Sequence, residues 1–322
     1  MRHEGMGDDV MSASGWGEAP GAGIPVSVIV MTKDEEANIA KCLRSLRAFD
    51  EVFVVDSGSG DRTCDIAEAM GARVVPFRWN GRYPKKKQWC LDALPFRRDW
   101  VLYVDADEEV TPALAAEIAR IAALPARHAG YFVGYDYVFL GRVLRHGHRV
   151  YKLVLLDRQA ARFPERDDLD VANMWEVEGH YQPLVDGTVG VLRHRMVHDD
   201  HATLFHYFER HNRYSDWEAA LRSRGTLLRE REAQPRGRRL LKAVFARLPG
   251  KGTIAFLHSY LWRAGFLDGW AGFHYAVARA VYYWQIRLKC WEAASRRPAP
   301  RARDAGSRAT GALAESAGRG TR

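Results

Sequence analysis

Residues 100–109, Trp100-Val101-Leu102-Tyr103-Val104-Asp105-Ala106-Asp107-Glu108-Glu109, run through a strand-like apolar stretch that stops at a cluster of carboxylates. In an open α/β sheet, ligands bind in the crevice beyond the carboxyl ends of the strands. This one run therefore predicts both a buried strand and the address of a site. The same pattern occurs twice upstream. Residues 26–31 form a continuous apolar run, as expected of a strand buried on both faces, and give way to Thr32, Lys33, Asp34, Glu35 and Glu36. Residues 52–55 close on the stretch DSGSGD, 56–61. Between these runs the apolar positions Ile39, Leu43 and Leu46 recur at helical spacing, a helix begins at Thr63 and stops at Gly71, and 86–94 reads as a further helix. With a strand at 73–76 and a helix from Pro112 to about 124, the alternation predicts an α/β fold: a mostly parallel sheet with covering helices.

Later in the chain the character changes. Residues 131–140 and 149–156 read as longer strands joined through Gly141 and Gly147, and past His198 the residues Phe205, Phe208, Asn212, Ser215 and Ala219 follow at helical intervals. The expected division is a disordered segment at 1–23, an α/β domain at 24–200, a helical extension at 201–294 and a disordered basic tail at 295–322. The amino terminus lacks the charged-then-apolar layout of a secretory signal. No stretch reaches the roughly 18–20 apolar residues of a membrane span, because His258, Arg263, Asp268, His274, Arg279 and Arg287 interrupt the aromatic carboxy-terminal region. Cys42, Cys64, Cys90 and Cys290 show no metal-ligand spacing and read as free thiols of a reducing compartment. The net charge of +8 is unevenly spread. Seven arginines against Asp304 and Glu315 follow Ser295, and a second basic block, Arg236, Arg238, Arg239, Lys242, Arg247 and Lys251, reads equally as a solvated helix face.

A lone Asp-x-Asp is usually a solvated turn, but three strand ends carrying polar clusters together are a place for a nucleotide. A carboxylate there can accept hydrogen bonds from a base or ribose. Asp105 and Asp107 can hold a hard divalent cation, Mg²⁺ or Mn²⁺, against a diphosphate.

The stretches VSVIVMTKDEEANI (26–39), VVDSGSGDRT (54–63) and VLYVDADEE (101–109) together resemble the inverting family 2 glycosyltransferases of bacteria, most nearly the lipopolysaccharide core β-glucosyltransferase group. The resemblance covers about 25–200 and extends more loosely through GFLDGWAG (265–272). It implies a GT-A-like, Rossmann-type fold and a nucleoside diphosphate sugar donor, UDP-linked by default. It makes Thr32, Glu35 and Asp56 donor contacts, places Asp105 at the ribose or the metal, and makes Asp107 the principal metal ligand. Lys87 matches a lysine of the family's Gln-Lys-Asn stretch and would neutralise phosphate or position the sugar; a solvated helix start is the alternative for 85–87. An inverting transfer also needs a base for the acceptor hydroxyl. The family's His-Glu pattern is absent here; NMWEVEGHY (173–181) offers Glu178, favoured by spacing, or Glu176. His180 and His198 are candidates for touching acceptor or diphosphate, and Trp175 and Tyr181 for stacking on a sugar; structural roles are the alternative for all four.

Phe273, Val277, Val281, Trp284, Leu288 and Trp291 recur at helical spacing beside Arg279, Arg287 and Lys289. Aromatics and basic residues in that order fit either a helix lying in an anionic membrane interface or one packed on its own domain. The expected function is metal-dependent sugar transfer to a lipid-linked glycan, lipopolysaccharide or exopolysaccharide precursor, by a cytoplasmic protein peripheral to the inner face of the plasma membrane. No aromatic-interleaved basic groove suggests nucleic acid. A sugar nucleotidyltransferase is the rival enzyme, although residues 32–38 lack its Gly-rich basic loop. A strand-end phosphatase is disfavoured by Glu109. A membrane-surface scaffold with a degenerate nucleotide site is the non-enzymatic rival.

Overall fold

Strands form where the apolar runs predict them. A computed structural model describes residues 23–125, 128–165, 177, 182–200, 203–224 and 250–296. The first strand, β1 (Ile24–Thr32), pairs in parallel with β2 (Phe49–Asp56) on one side and β4 (Trp100–Asp105) on the other, and β3 (Arg73–Pro76) flanks β2. The register sets Thr32 opposite Asp56 and Met31 opposite Asp105, so all three polar clusters emerge at one edge of the sheet. The crossovers run through α1 (Ile39–Ser45), α2 (Thr63–Ala69) and α3 (Lys86–Ala93). Ile39, Leu43 and Leu46 are fully buried, as their spacing predicts, against a core that includes Ile29, Phe53 and Leu102. Gly71 takes φ +83° after α2, a conformation in which a Cβ is penalised. Helix α4 (Pro112–Ala122) starts with Pro112 in its first turn, and the Thr111 hydroxyl accepts a hydrogen bond from the Leu114 amide at 3.2 Å.

Beyond β4 the sheet becomes mixed. β8 (Val150–Asp157) runs antiparallel to β4, and β6 (Gly130–Phe139) runs antiparallel to β8, with a short β7 (Arg142–Val143) returning along β6. β11 (Val189–His198) then lies parallel to β6, and β5 (Glu108–Val110) pairs antiparallel with β11. A separate small ladder joins β9 (Ala161–Arg162) and β10 (Leu184–Val185). Two of these strands correct the sequence reading. Glu108 and Glu109, expected in an open polar cluster, belong to β5, and no strand was expected at 189–198. The reason is compositional: β11 buries only Leu192 and Met196, so it carries no apolar run to be read. Its pairing places His198 opposite Glu108.

The carboxy-terminal part comprises α5 (Leu204–Arg224), α6 (Lys251–Leu257), a π-helical turn (His258–Trp262), a 3₁₀ turn (Gly265–Asp268) and α7 (Gly269–Ser295). The GFLDGWAG stretch is the hinge of this assembly. A Cβ on Gly272 would sit 2.1 Å from the Gly265 carbonyl oxygen, and Gly269 has φ +61°. Asp268 between them accepts hydrogen bonds from the backbone amides of Arg145 (3.1 Å) and His146 (2.8 Å), fastening the helices to the β7–β8 connection.

The expected amphipathic stripe of α7 divides along the helix: Phe273 packs edge-to-face on Phe256 and Tyr260, while the later aromatics are exposed and most of the helix's buried face lies elsewhere. Its packed residues are Ala271, Gly272, Ala276, Ala278 and Ile286, whereas Trp284, Leu288 and Trp291 face outward. Nor do its basic residues all flank that stripe. Lys289 turns towards α5, pairing with Asp216 at 2.5 Å and donating to the Asn212 carbonyl at 2.7 Å, while Arg287 stays with the stripe, over the Trp291 ring. Of the segments expected to be disordered, Gly23 is described and Ser295 and Arg296 finish α7 as its last residue and cap; the rest of both, and the basic block apart from Lys251, lie outside the described residues.

Candidate active site

A cavity of about 1570 Å³ opens between the strand ends and helices α5 and α7. Thr32, Glu35, Lys87, Asp105 and Asp107 all line it. Five of the six residues expected to hold donor or metal therefore meet at one place. Asp56 is the exception: it is buried and does not line the cavity, and its carboxylate accepts from the amides of Gly58 (2.8 Å) and Ser59 (2.9 Å) and from the Ser59 hydroxyl (2.5 Å). Burial opposes its charge, but these bonds outweigh it and keep its pKa below the ordinary carboxylate value. It fixes the 57–61 loop.

That loop in turn braces the turn after β1. Asp34, at φ +54°, accepts from the Gly60 amide at 2.7 Å, and the Glu35 amide donates to the Thr63 hydroxyl at 2.7 Å. Glu35 is thus directed into the cavity, where Asn38 donates to it at 2.7 Å. Burial pushes its pKa up to about 7. The alternative of a solvated helix start at 85–87 does not hold for its first two residues. Lys85 and Lys86 are buried, and Lys86 ties the first two strand ends together, donating to the Thr32 carbonyl at 3.1 Å and the Ser57 hydroxyl at 2.5 Å. Lys87, on the cavity wall, has its ammonium 5.9 Å from the Phe163 ring centroid.

At the end of β4 the two aspartates separate into different roles. Asp105 accepts from Lys152 at 2.9 Å. Its burial works against ionisation, yet Lys152 and Lys87 hold its pKa well below the usual range. Lys152 also donates to Glu108 at 2.6 Å, and Glu108 accepts from the Asp105 amide at 3.0 Å, so Glu108 is buried but well satisfied. Asp107 is different. Burial, with the nearby charges of Asp105 and Glu108, raises its pKa to about 6 against the opposing pull of His198. Its Oδ1 is buried without a hydrogen-bond partner, as is Nδ1 of His198, and the two atoms lie 3.5 Å apart. His198 Nδ1 is 3.7 Å from Glu108, and ligand atoms of Asp107, Glu108 and His198 all fall within 4.8 Å of one another.

Two buried, unsatisfied atoms that can each offer a lone pair, facing each other beside the Glu108 carboxylate, fit a divalent cation taking O, O and N donors. The cluster that could hold a cation differs from the expected pair: Asp107 is joined in it by Glu108 and His198, and Lys152 pairs with both Asp105 and Glu108. The sequence offers His198 only as a contact to acceptor or diphosphate and gives no signal for Glu108 as a candidate ligand. Lys152 and Arg210, which pairs with Asp200 on the same wall, gave no signal, because neither sits in a motif. Glu176, Glu178, Trp175, His180 and Tyr181 lie outside the described residues; Val177 and Gln182, close by in the chain, line the cavity.

Residues 27–176 match the sequence model of Glycosyl transferase family 2. The chain is 40% identical over 102 residues to an uncharacterised glycosyltransferase of Rickettsia typhi, covering 30% of this chain and 33% of that protein. It is 31% identical over 126 residues to the lipopolysaccharide core biosynthesis glycosyltransferase LpsC of Rhizobium meliloti, covering 35% and 46%. The alignments therefore span between a third and a half of these relatives. A crystal structure of glucosyl-3-phosphoglycerate synthase from Mycobacterium tuberculosis shares 30% identity over 36% of this chain and 45% of that one, with a TM-score of 0.29. With those motifs at the ends of β1, β2 and β4, residues 27–176 form a family 2 glycosyltransferase domain of bacterial type.

Proposed function

We propose that this protein is a metal-dependent, inverting glycosyltransferase that moves a sugar from a nucleoside diphosphate donor, UDP-linked by default, to a lipid-linked glycan, lipopolysaccharide or exopolysaccharide precursor. One observation carries the reading: the unpartnered Asp107 and His198 atoms, 3.5 Å apart beside Glu108, in a cavity that Lys87 and Glu35 also line. Mg²⁺ or Mn²⁺ held by Asp107, Glu108 and His198 would offset the negative charge that grows on the departing diphosphate. Lys87 supplies fixed positive charge on the same wall. Thr32 and Glu35 receive the nucleoside, Asp56 holds the loop behind them, and Asp105, kept ionised by Lys152, accepts from the ribose. Glu178, with Glu176 as the alternative, takes the proton of the acceptor hydroxyl as that oxygen bonds to the anomeric carbon and the bond to the diphosphate oxygen breaks on the opposite face. The domain limits expected from sequence fit this reading, with 24–200 carrying the chemistry and 201–294 completing the cavity.

A likeness to a lipopolysaccharide core enzyme favours an acceptor at a membrane surface, and the fold offers a place for it. No helix among the described residues is long and apolar enough to cross a membrane. Instead, Trp262 (84% exposed), Trp270 (70%), Leu261, Phe266 and Leu267 project from the turns between α6 and α7. Arg142, beside Gly269, and Arg145, whose amide holds Asp268, are exposed at the rim. Exposed tryptophans ringed by arginine fit the headgroup layer of an anionic bilayer, each well-placed charge contributing about 1 kcal/mol. On this reading the protein works at the cytoplasmic face of the plasma membrane. Sedimentation with vesicles containing phosphatidylglycerol should capture the protein, and the Trp262→Ser, Trp270→Ser double variant should lose that capture.

Thermal denaturation with UDP-, GDP-, ADP- and dTDP-sugars, with and without Mn²⁺, tests the catalytic reading. A ligand that binds only the folded state raises its stability by mass action. One nucleotide sugar should raise Tm only in the presence of Mn²⁺, and Asp107→Ala should abolish that response. A flat response across the panel would favour the scaffold reading.

A further inference from the structure

The cavity exceeds the roughly 300–1,000 Å³ usual for a small-molecule site, and the strand ends occupy only one wall of it. The opposite wall comes from α5, α7 and the β7–β8 connection, and one of its cations is unusual. On that wall Arg210 is paired with Asp200, and across the cavity Lys152 is paired with Asp105 and Glu108. Arg279 lines the cavity half-buried, its Nε is buried without a hydrogen-bond partner, and it pairs with no carboxylate among the described residues. A buried donor left unsatisfied costs on the order of 1–3 kcal/mol, more when charged.

The surroundings of Arg279 are positive. His148, on the same cavity wall, has its pKa pushed down to about 3 by burial and by the charges of Arg279, His258 and Arg263. His148 is therefore a neutral imidazole beside a half-buried guanidinium that no carboxylate among the described residues balances, and such a cation is a place for an anion. A path of rings connects it to the metal end. The Tyr137 ring is 4.7 Å from that of His198 and 6.3 Å from that of Tyr275, and Phe139 lies 5.4 Å from Tyr275. Tyr275 stands one helical turn, about 6 Å, before Arg279. Tyr137, Phe139 and Tyr275, which all line the cavity, thus span from the Asp107–His198 end towards Arg279.

We propose that Arg279 and His148 form an anion subsite that seats an acidic group, a carboxylate or a phosphate, on the acceptor sugar. The acceptor class rests on the glycosyltransferase reading; the anion subsite itself does not. Glucose, glucuronate and glucose 6-phosphate serve as probes, titrated by calorimetry into the full chain in EDTA so that the metal end takes no part. Expected is measurable binding of one or both acidic sugars, at least tenfold tighter than glucose, with glucuronate or glucose 6-phosphate binding tighter according to which group the subsite takes. Arg279→Gln should weaken the acidic sugars at least tenfold, Arg279→Lys should restore part of the loss, and both variants should keep the wild-type Mn²⁺-dependent response to nucleotide sugar. Equal binding of glucose, no binding of either acidic sugar, or undiminished binding by Arg279→Gln would overturn the subsite. So would loss of the Mn²⁺ response in both Arg279 variants, which would make Arg279 a support for the whole cavity. If the acidic sugars bind through Arg279 but no nucleotide sugar binds with Mn²⁺, the subsite stands and the glycosyltransferase reading falls.

Discussion

The two walls of the cavity are built on opposite principles. At the strand ends, acidic groups crowd together and the protein itself supplies partners for most of them: Lys152 for Asp105 and Glu108, Lys41 for Glu109 and Asp199 at 2.7 and 2.9 Å. At the helical wall, Arg279 has no such counter-charge among the described residues. A satisfied carboxylate network stiffens a site whose geometry must be held for chemistry, whereas an unsatisfied cation leaves its free energy to be recovered on binding. Substitutions at the strand ends should therefore reduce turnover or folding, and substitutions at the helical wall should chiefly raise the KM for acceptor.

The largest effect is expected from Glu178, which follows β9 and precedes β10 in the sequence. Glu178→Gln should lower kcat by roughly 10²- to 10⁴-fold, the usual contribution of a positioned general base, with little change in nucleotide-sugar binding. Glu176→Gln should stay near wild type. Measured kcat and KM for the pair decide it: loss of turnover in Glu176→Gln alone would transfer the base to Glu176.

Removing a cation should separate the walls most directly. Lys152→Met strands Asp105 and Glu108 as neighbouring buried charges, and breaking such a pair destabilises by about 3 kcal/mol or more. Arg279→Met removes a charge that no carboxylate among the described residues balances, so its stability should equal or slightly exceed that of wild type. Urea unfolding of the two variants measures both. A loss of stability in Arg279→Met comparable to that in Lys152→Met would mean that the helical wall is internally paired after all, and the contrast between the walls would disappear.

The same contrast explains which parts of the molecule were legible in sequence. Parallel strands buried on both faces must be apolar throughout, so β1, β2 and β4 stand out, and the polar residues that follow each are positioned by the strand itself. Thr32, Glu35, Asp105 and Asp107 could be located that way. Glu108 could not, because a three-residue strand gives no period to read. His198 depends on a pairing with β5 across almost ninety residues of chain, and β11 has too few buried positions to announce itself. Lys152 alternates unobtrusively within β8, and only tertiary contact shows that it holds two carboxylates. The stripe on α7 is a true periodicity that does not tell which face packs: small residues, which carry little hydrophobic signal, let α7 approach its neighbours, and Trp284, Leu288 and Trp291 stay outside.

Glu35 sharpens the picture of the acidic wall with the smallest expected effect. The groups acting on it are Asn38, Asp107, Asp200 and Arg210, and burial dominates, raising its pKa from 4.5 to about 7. Between those values the folded protein retains a proton that the unfolded chain releases. The contribution of Glu35 to stability is thus greatest below about pH 4.5 and declines as pH rises through about 7. Glu35→Gln removes this dependence. The variant should unfold at nearly the wild-type temperature at pH 5 and at a higher one at pH 8, a gain on the order of 1–2 kcal/mol after discounting the full shift for partial exposure. If Glu35 also receives the nucleoside, the same substitution weakens nucleotide-sugar binding, so stability and affinity move in opposite directions. A variant destabilised at pH 8 would show instead that the bond from Asn38 outweighs burial and that Glu35 is a structural carboxylate of the 34–38 turn.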